Sequence, residues 1–476
     1  MTQAPAASLH APPAPFAQTL DRLITALGAD SVLTGDAVRE RVTTDWSGSA
    51  SSTPLAIVLP RDALQVALAL QICSAAGQPL SIQGGLTGLA GGANPQPGEV
   101  ALSLSRLAAI EDFDDVGGTV VVQAGVTLEQ LQVFAAERDW FFPLDLGARG
   151  SCQLGGNAAT NAGGNRVMRY GMMRESVLGL EVALADGSLL SMLDRVIKNN
   201  AGFDLKQMFI GSEGALGVIT RLSLKLVPRP LASQTVLCAV GSFEAATHLL
   251  REARRCLPEL VAFELMWDDY FKAASQALGR AAPFADSHPL YVLIETMGAN
   301  AQSGQDGIER FLEQAMDQDI VTDAIVAQSA EQALGLWAFR EAIGELLSQL
   351  KPHAAFDISV ALCEMDAFVQ DIRARLDEAF PQQQHLFFGH LGDSNLHLTS
   401  GPYADPAQLE AVEHLVYAQV ARVGGSISAE HGIGVVKKPF LHCSRDGAQL
   451  ALMRTLKQAL DPHAVLNRHR IFDSPA

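Results

Sequence analysis

Three glycine-rich segments, spaced by strand-like runs in the first half of the chain, constrain the fold more than any other feature. The first, QGGLTGLAGGA over 83–93, follows the strand-like run PLSIQ and carries Gly84, Gly85, Gly88, Gly91 and Gly92. Glycines at this density let amide N–H groups converge on an anion with no Cβ in the way, and Thr87 adds a hydroxyl. The spacing is neither GxGxxG nor GxxxxGK(S/T), which sets aside the nicotinamide fingerprint and the P-loop. Taken alone, a structural turn accounts for this loop as well as a phosphate cradle does. The second segment, 145–171, holds seven glycines and has almost no periodicity. Loops this long inside a compact domain are functional or disordered, and this one is too rich in apolar and amide side chains for disorder. The third, 198–220, sets Gly211, Gly214 and Gly217 three apart before a strand. Together they suggest a long, bent ligand with a diphosphate in its middle, and a dinucleotide such as FAD fits that description.

The surrounding chain reads as α+β. Residues 1–15 form an Ala- and Pro-rich tail, expected to be disordered, with no basic region of a targeting signal. A helical segment occupies 16–49. A strand over 55–60, a helix over 62–76 and a strand ending at Gln83 make a β-α-β opening. Short strands follow at 100–104, 119–123, 178–185 and 217–227. Pro228 and Pro230 mark a boundary, giving a ligand-embracing domain over 50–230 and a second α+β domain over 231–476. In the latter, helices over 243–256, 304–316, 331–350, 366–380 and 406–423 alternate with short strands.

A net charge of −18 disfavours nucleic acid and anionic lipid as partners. No apolar run approaches the roughly 18 residues of a membrane helix. The six cysteines are scattered with no CxxC pair, which points to a reducing compartment and against a thiolate zinc site. A cytoplasmic protein, at most peripheral to a membrane through an electron acceptor, is expected.

In the second half, FGHLGDSNLHL contains His390 and His397, and SAEHGIG contains Glu430 and His431. Residues seven apart in an extended segment broken by a turn can converge, so two imidazoles and a carboxylate can form an open His₂Glu metal site. That donor set suits zinc, with manganese and iron(II) also compatible. With 12 histidines in the chain, ordinary core or surface histidines are the competing account. Cys152, Cys443, Phe141, Phe142, Phe388 and Phe472 read as packing.

In order and spacing, the glycine segments, with RYG, LGLEVALADG and NNAGFDLKQMFIGSEGALGVIT, resemble the FAD-binding domain of the vanillyl-alcohol oxidase (PCMH-type) flavoproteins. The D-2-hydroxyglutarate and D-lactate dehydrogenase branch is the most similar. The resemblance implies a PCMH-type FAD-binding domain of two α+β subdomains, followed by an α+β FAD-linked oxidase C-terminal domain. It assigns the FAD diphosphate to Gly84, Gly85, Leu86, Thr87, Gly88, Gly91, Gly92 and Ala93. The rest of the cofactor falls to Pro143, Gly147, Ser151, Gly155, Gly156, Asn157, Thr160, Asn161 and Gly163, and to Gly211, Glu213, Gly214, Gly217, Val218 and Ile219. The stretch 83–93 has no His or Cys for covalent attachment, so the FAD is expected to be noncovalent.

The resemblance also makes His390, His397 and Glu430 metal ligands and His431 the base beside the flavin, with Arg340 gripping the substrate carboxylate and Thr399 near the substrate. The chemistry it implies is oxidation of a 2-hydroxy acid: metal-stabilised alkoxide, proton to His431, Cα hydride to flavin N5. Electrons would leave to a quinone, a cytochrome or an electron-transfer flavoprotein, and a homodimer is compatible.

Several positions depart from the family. Gln83 stands for Arg, Leu86 for Gly and Ser394 for Gly. Gly344 and Ala355 replace Thr and Lys that face a distal carboxylate, leaving a smaller acid, or a grip by Lys351 or His353, open. Arg468, His469 and Arg470 replace the Pro-Gly-Lys of the ending, which reads as surface variation, and Asn467 is retained near the isoalloxazine. Two competing readings are a metallohydrolase with purely structural glycine loops and a catalytically silent flavin-binding subunit.

Overall fold

The computed structural model of the chain describes residues 14–473. The tail expected at 1–15 lies outside them except for Ala14 and Pro15, which open the first helix, Ala14–Leu27. Strands Ile57–Val58 and Leu80–Gln83, joined by helix Ala63–Ala75, form the β-α-β opening. Strand Val100–Ser103 runs between them, parallel to both, and Val32–Leu33 adds an antiparallel edge. The strand expected over 55–60 shrinks to two residues, since Val32–Leu33 offers only two partners and Pro60 has no N–H to give.

Asp62 caps the helix by accepting the Gln65 N–H at 2.8 Å. The helix is apolar nearly all round, burying Val66, Ala69, Leu70, Ile72 and Cys73, because Ala14–Leu27 covers one side and a second sheet the other. That second sheet is antiparallel, in the order Ile110–Asp114, Thr119–Gln123, Val218–Lys225, Val177–Ala183, Leu189–Met192. Its β-branched strands share one core with the first sheet, and Val465 and Leu466 return from the carboxy-terminal end to join that core.

Beyond the short pair Trp140–Phe141 and Val227–Pro228, the chain enters a seven-stranded antiparallel sheet. Its order is Asp323–Val326, Ala232–Val240, Leu290–Gly298, Leu260–Trp267, Gln384–His390, Asn395–Gly401, Ala354–Ser359. Two strands reach nine residues, longer than the short strands expected, because both faces are covered and apolar residues sit at successive positions. Val236, Cys238, Phe356, Ile358, Leu396 and Leu398 face one core. Leu237, Ala239, Met266, Leu386 and Phe388 face the other.

On that second face the apolar alternation is interrupted by Glu264, Asp357 and His397, and there the site forms. The helix expected over 331–350 is two, Ala330–Glu341 and Ile343–Gln349, meeting at Ala342. The Arg340 carbonyl, which would accept an N–H four residues on, instead accepts the Tyr270 O–H at 2.8 Å.

Candidate active site

The first glycine segment is a loop closed by its own first residue. Gln83 Nε2 donates to the carbonyls of Thr43 and Ala93, at 3.0 Å each, so the glutamine in the place of the family's arginine shapes the loop. The amides of Gly85, Leu86, Thr87 and Gly88 donate to no protein acceptor among the described residues. The loop presses on residues 151–156: a Cβ on Gly85 would lie 2.0 Å from Ser151 O, and one on Gly84 3.5 Å from Gly156 Cα. A cavity of ≈ 190 Å³ opens beside it, lined by Gly84, Gly85, Leu86, Ser151 and Gln153 among others. Unspent amides against a glycine-walled cleft fit a diphosphate-bearing cofactor.

The second segment folds into helix Leu154–Thr160, where Gly155 packs on Ala124 and the Thr160 hydroxyl donates to Gly156 O. Asn157 is buried beside Cys152, and Asn161, at φ +52°, ends the helix and accepts the Arg174 N–H. The third lies against this helix, with Gly211 and Glu213 N–H given to Ala158 O and Ala159 O. Gly214 has φ +71°, and Gly217 packs on Val182. Val218 and Ile219 start a strand with their side chains in the core. Pro143 is buried before the second segment, Gly147 is exposed on it, and Gly163 abuts the Glu430 carboxylate. Two predicted cofactor contacts spend their side chains within the protein. Glu213 accepts the N–H groups of Ile433 and Gly434, and Asn467 bridges Ile82 N and Glu213 O.

The departures from family glycines share one property. Leu86 (φ +58°), Ser394 (φ +72°) and His469 (φ +65°) all keep the left-handed backbone that glycine adopts freely. At Arg470 the ending is not surface variation: its side chain is fully buried, bridges Glu99 through two nitrogens and donates to Asn94 O at 2.6 Å, while His469 is exposed.

On the charged sheet face, register does the assembling. Glu264 pairs across strands with His390, and His397 stands between Phe388 and Asp357. His390 Nδ1 donates to Glu264 at 2.9 Å, as a metal-binding imidazole commonly does to a carboxylate. Donor atoms of His390, His397 and Glu430 lie within 4.8 Å of one another, as do those of Asp357, Glu430 and His431. Asp357 Oδ1 is buried without a hydrogen-bond partner. This donor set fits a divalent cation. Glu430 Oε1 accepts the Gly164 N–H at 2.6 Å, tying the cluster to the second glycine segment.

Asp357 Oδ2 accepts the N–H groups of Glu430 and His431 at 2.9 and 3.0 Å and lies 3.6 Å from Lys437 Nζ. Burial works against its charge, but His431 and Lys437 outweigh that and hold the carboxyl well below the usual range. Burial lowers His431, with Asp357 offsetting part of the effect, so its ring is neutral at neutral pH. Burial and the neighbouring His390 hold His397 down as well. His390 is buried too, yet the Glu264 carboxylate keeps its imidazole up, at about 8.

Arg340 is buried, with Nε on Glu264 at 2.7 Å, Nη2 3.2 Å from His390 Nε2, and its guanidinium 4.7 Å above the Phe388 ring. Nη1 makes no protein hydrogen bond among the described residues. Thr399 lies two residues beyond His397 on the same strand face, between Ala355 and Leu386. Ala355 and Gly344 are exposed, and nothing lies within 4 Å of a Cβ built on Gly344. Sequence reasoning missed Glu264, Asp357 and Lys437. The one signal of Glu264 and Asp357 is an ionisable residue inside an apolar run, such as LVAFELMW, where a charge persists only with partners.

The family described as "FAD linked oxidases, C-terminal domain" matches residues 229–471, and "FAD binding domain" matches 54–192. The mitochondrial D-2-hydroxyglutarate dehydrogenase of Bos taurus is 41% identical over 449 residues, covering 94% of this chain and 82% of that protein. The D-2-hydroxyglutarate dehydrogenase of Xanthomonas citri pv. viticola is 40% identical over 438 residues, covering 90% and 92%. A solved structure of p-cresol methylhydroxylase with substrate bound superposes with a TM-score of 0.77 at 15% identity, covering 96% and 97%, which shows the shared PCMH-type fold. The chain is an FAD-dependent oxidoreductase that belongs to the FAD-linked oxidase family, in the branch of the D-2-hydroxyglutarate and D-lactate dehydrogenases.

Proposed function

We propose that the chain oxidises a D-2-hydroxy acid, of the D-2-hydroxyglutarate or D-lactate type, to the 2-oxo acid, the Cα hydride passing to flavin N5. Bound FAD supplies the two-electron acceptor, and a divalent cation such as zinc, manganese or iron(II) supplies positive charge where the substrate hydroxyl deprotonates. His390, His397 and Glu430 would hold that cation. Arg340 is oriented by Glu264, and its free Nη1 corner would receive the substrate carboxylate. His431, neutral and with Nδ1 3.7 Å from Asp357 Oδ2, would take the hydroxyl proton at Nε2. The noncovalent FAD would lie on the three glycine segments, with its diphosphate on the free amides of the first, Gly85 to Gly88. The boundary near 230 would separate the cofactor-holding part from the substrate-holding part, and the reoxidant would be a quinone, a cytochrome or an electron-transfer flavoprotein.

The observation that carries this reading is the meeting of His390, His397 and Glu430 beside His431 and Arg340, tied to the FAD-binding loops through Gly164. A metallohydrolase with structural glycine loops leaves the FAD-binding match over 54–192 without a purpose. Anaerobic titration with D- and L-lactate, 2-hydroxyglutarate and malate, with and without chelator, tests the proposal. Bleaching of the flavin band by a D-acid, abolished by chelator and restored by zinc, is expected. A flavin that stays oxidised with every acid would overturn it.

A further inference from the structure

The segment carrying Glu430 and His431 is suspended by its own amides. Asp357 takes the N–H groups of Glu430 and His431, and Ala90 O, in the first glycine loop, takes those of Val435 and Val436. Between them Glu213 Oε1 accepts the Ile433 N–H at 2.7 Å, and Oε2 the Gly434 N–H at 2.8 Å. Glu213 stands in the third glycine segment with φ +51°, its own N–H on Ala159 O and its carbonyl on Asn467. Each polar group of the residue is therefore bound within the protein. Gly432, at φ +81°, lets the loop come this close, since a Cβ there would lie 3.0 Å from Glu213 Cδ. If the carboxylate turned to a cofactor, the two amides of Ile433 and Gly434 would lose their acceptor.

We propose that Glu213 is a positioning residue, not a cofactor ligand: it couples the FAD-binding loops to the loop that carries His431 and Glu430. What His431 does chemically rests on the function proposed above; the suspension of its loop does not. The coupling works because one carboxylate offers two fixed acceptors to two neighbouring amides. A glutamine offers one oxygen and sets an NH₂ against the second N–H, so the isostere does not substitute.

The test uses FAD-loaded full chain as wild type, Glu213→Gln, Gly432→Ala and the double variant. For Glu213→Gln, FAD content read from visible absorbance stays at the wild-type level. Its kcat falls about 10- to 100-fold with KM moved less than about threefold, as for a misplaced catalytic group. Hydrogen exchange over 430–436 quickens about tenfold or more, while strand Val177–Ala183 is unchanged. Gly432→Ala reaches the same state from the other side of the contact, and the double variant is no worse than the worse single, because both break one interaction.

Loss of FAD from Glu213→Gln with unchanged exchange over 430–436 would make Glu213 a cofactor ligand and overturn the proposal. Unchanged exchange with undiminished turnover would make it mere filling and overturn it too. If Glu213→Gln does not fold, Gly432→Ala carries the same readouts. A wild-type flavin that no 2-hydroxy acid reduces would end the proposed function alone, while exchange and FAD content still decide on Glu213.

Discussion

The glycine cradle and the histidine–carboxylate face are built from opposite materials. In the cradle the working groups are backbone amides, and the side chains matter chiefly by being absent, as where Gly85 meets Ser151. On the sheet face the backbone is ordinary antiparallel ladder, and Glu264, Asp357, His390 and His397 are brought together by register, with Glu430 and His431 hung beside them on a loop. A cradle therefore tolerates changes of chemistry but not of volume, and the face tolerates the reverse. The comparison is sharpest at His431. His431→Asn should lower turnover about 10²- to 10⁴-fold while leaving FAD content unchanged. Single-turnover flavin reduction and the visible spectrum measure both, and loss of FAD in this variant would merge the two regions.

Glu264→Ala should be the most destabilising single change on the face. Glu264 is 1% exposed and holds both Arg340 and His390, so its removal leaves a buried guanidinium without its carboxylate and the His390 Nδ1 without its acceptor. The expected cost is about 3–5 kcal/mol in denaturant unfolding. The matching change in the cradle, Gly85→Ala, adds one methyl against Ser151 O and should cost about 1–3 kcal/mol, read as weaker FAD retention during gel filtration. A variant that keeps FAD as the wild type does would show that the loop yields without harm to the cradle.

These differences also explain what could be read from the sequence. Cradles advertise themselves through glycine density, and strand Thr119–Gln123 and helix Phe243–Cys256 through local periodicity, so those features were legible. His390, His397, Glu430 and His431 were visible as short motifs. Glu264 and Asp357 were not, because each is a single charge in an apolar strand whose meaning depends on a partner far along the chain. Glu213 was assigned to the cofactor through the family resemblance; its bonds to Ile433 and Gly434, some 220 residues away, have no local signal. The break at Ala342 was hidden since the helical pattern continues through it, and only the tertiary bond from Tyr270 diverts the Arg340 carbonyl.

Acid should separate the two regions in order. His385, buried against Ser400 and Phe380 O, is held below its ordinary value by burial, so the unfolded chain binds the extra proton first. Stability there is full above about pH 6.5 and is lost as pH falls below it. In the FAD-binding half, burial opposes the Glu181 charge, but its bonds to Arg221 and Thr220 outweigh this and lower its pKa. That contribution is full above about pH 4.3 and is lost only as pH falls further. Hydrogen exchange of strands Gln384–His390 and Val177–Ala183, corrected for intrinsic rates, should diverge at about pH 5.5, with the first strand loosening. Equal protection would remove His385 as the weak point of its strand.

The smallest effects come from restoring glycine, and they divide the regions most finely. Leu86 in the cradle and Ser394 in the turn between His390 and His397 both hold a left-handed backbone, which costs an L-residue about 1–2 kcal/mol. Glycine removes that strain but widens the unfolded ensemble by about 0.4–1 kcal/mol, so each change should stabilise by only about 1 kcal/mol or less. Their consequences should nevertheless go to different places. Leu86→Gly should slow FAD loss in dilute solution, and Ser394→Gly, if a cation binds His390 and His397 as proposed, should raise resistance to chelator without altering FAD retention. If Leu86→Gly speeds FAD loss instead, the leucine side chain is itself a wall of the cradle. Chemistry as well as volume would then matter there, and the contrast between the two regions would hold for the histidine face alone.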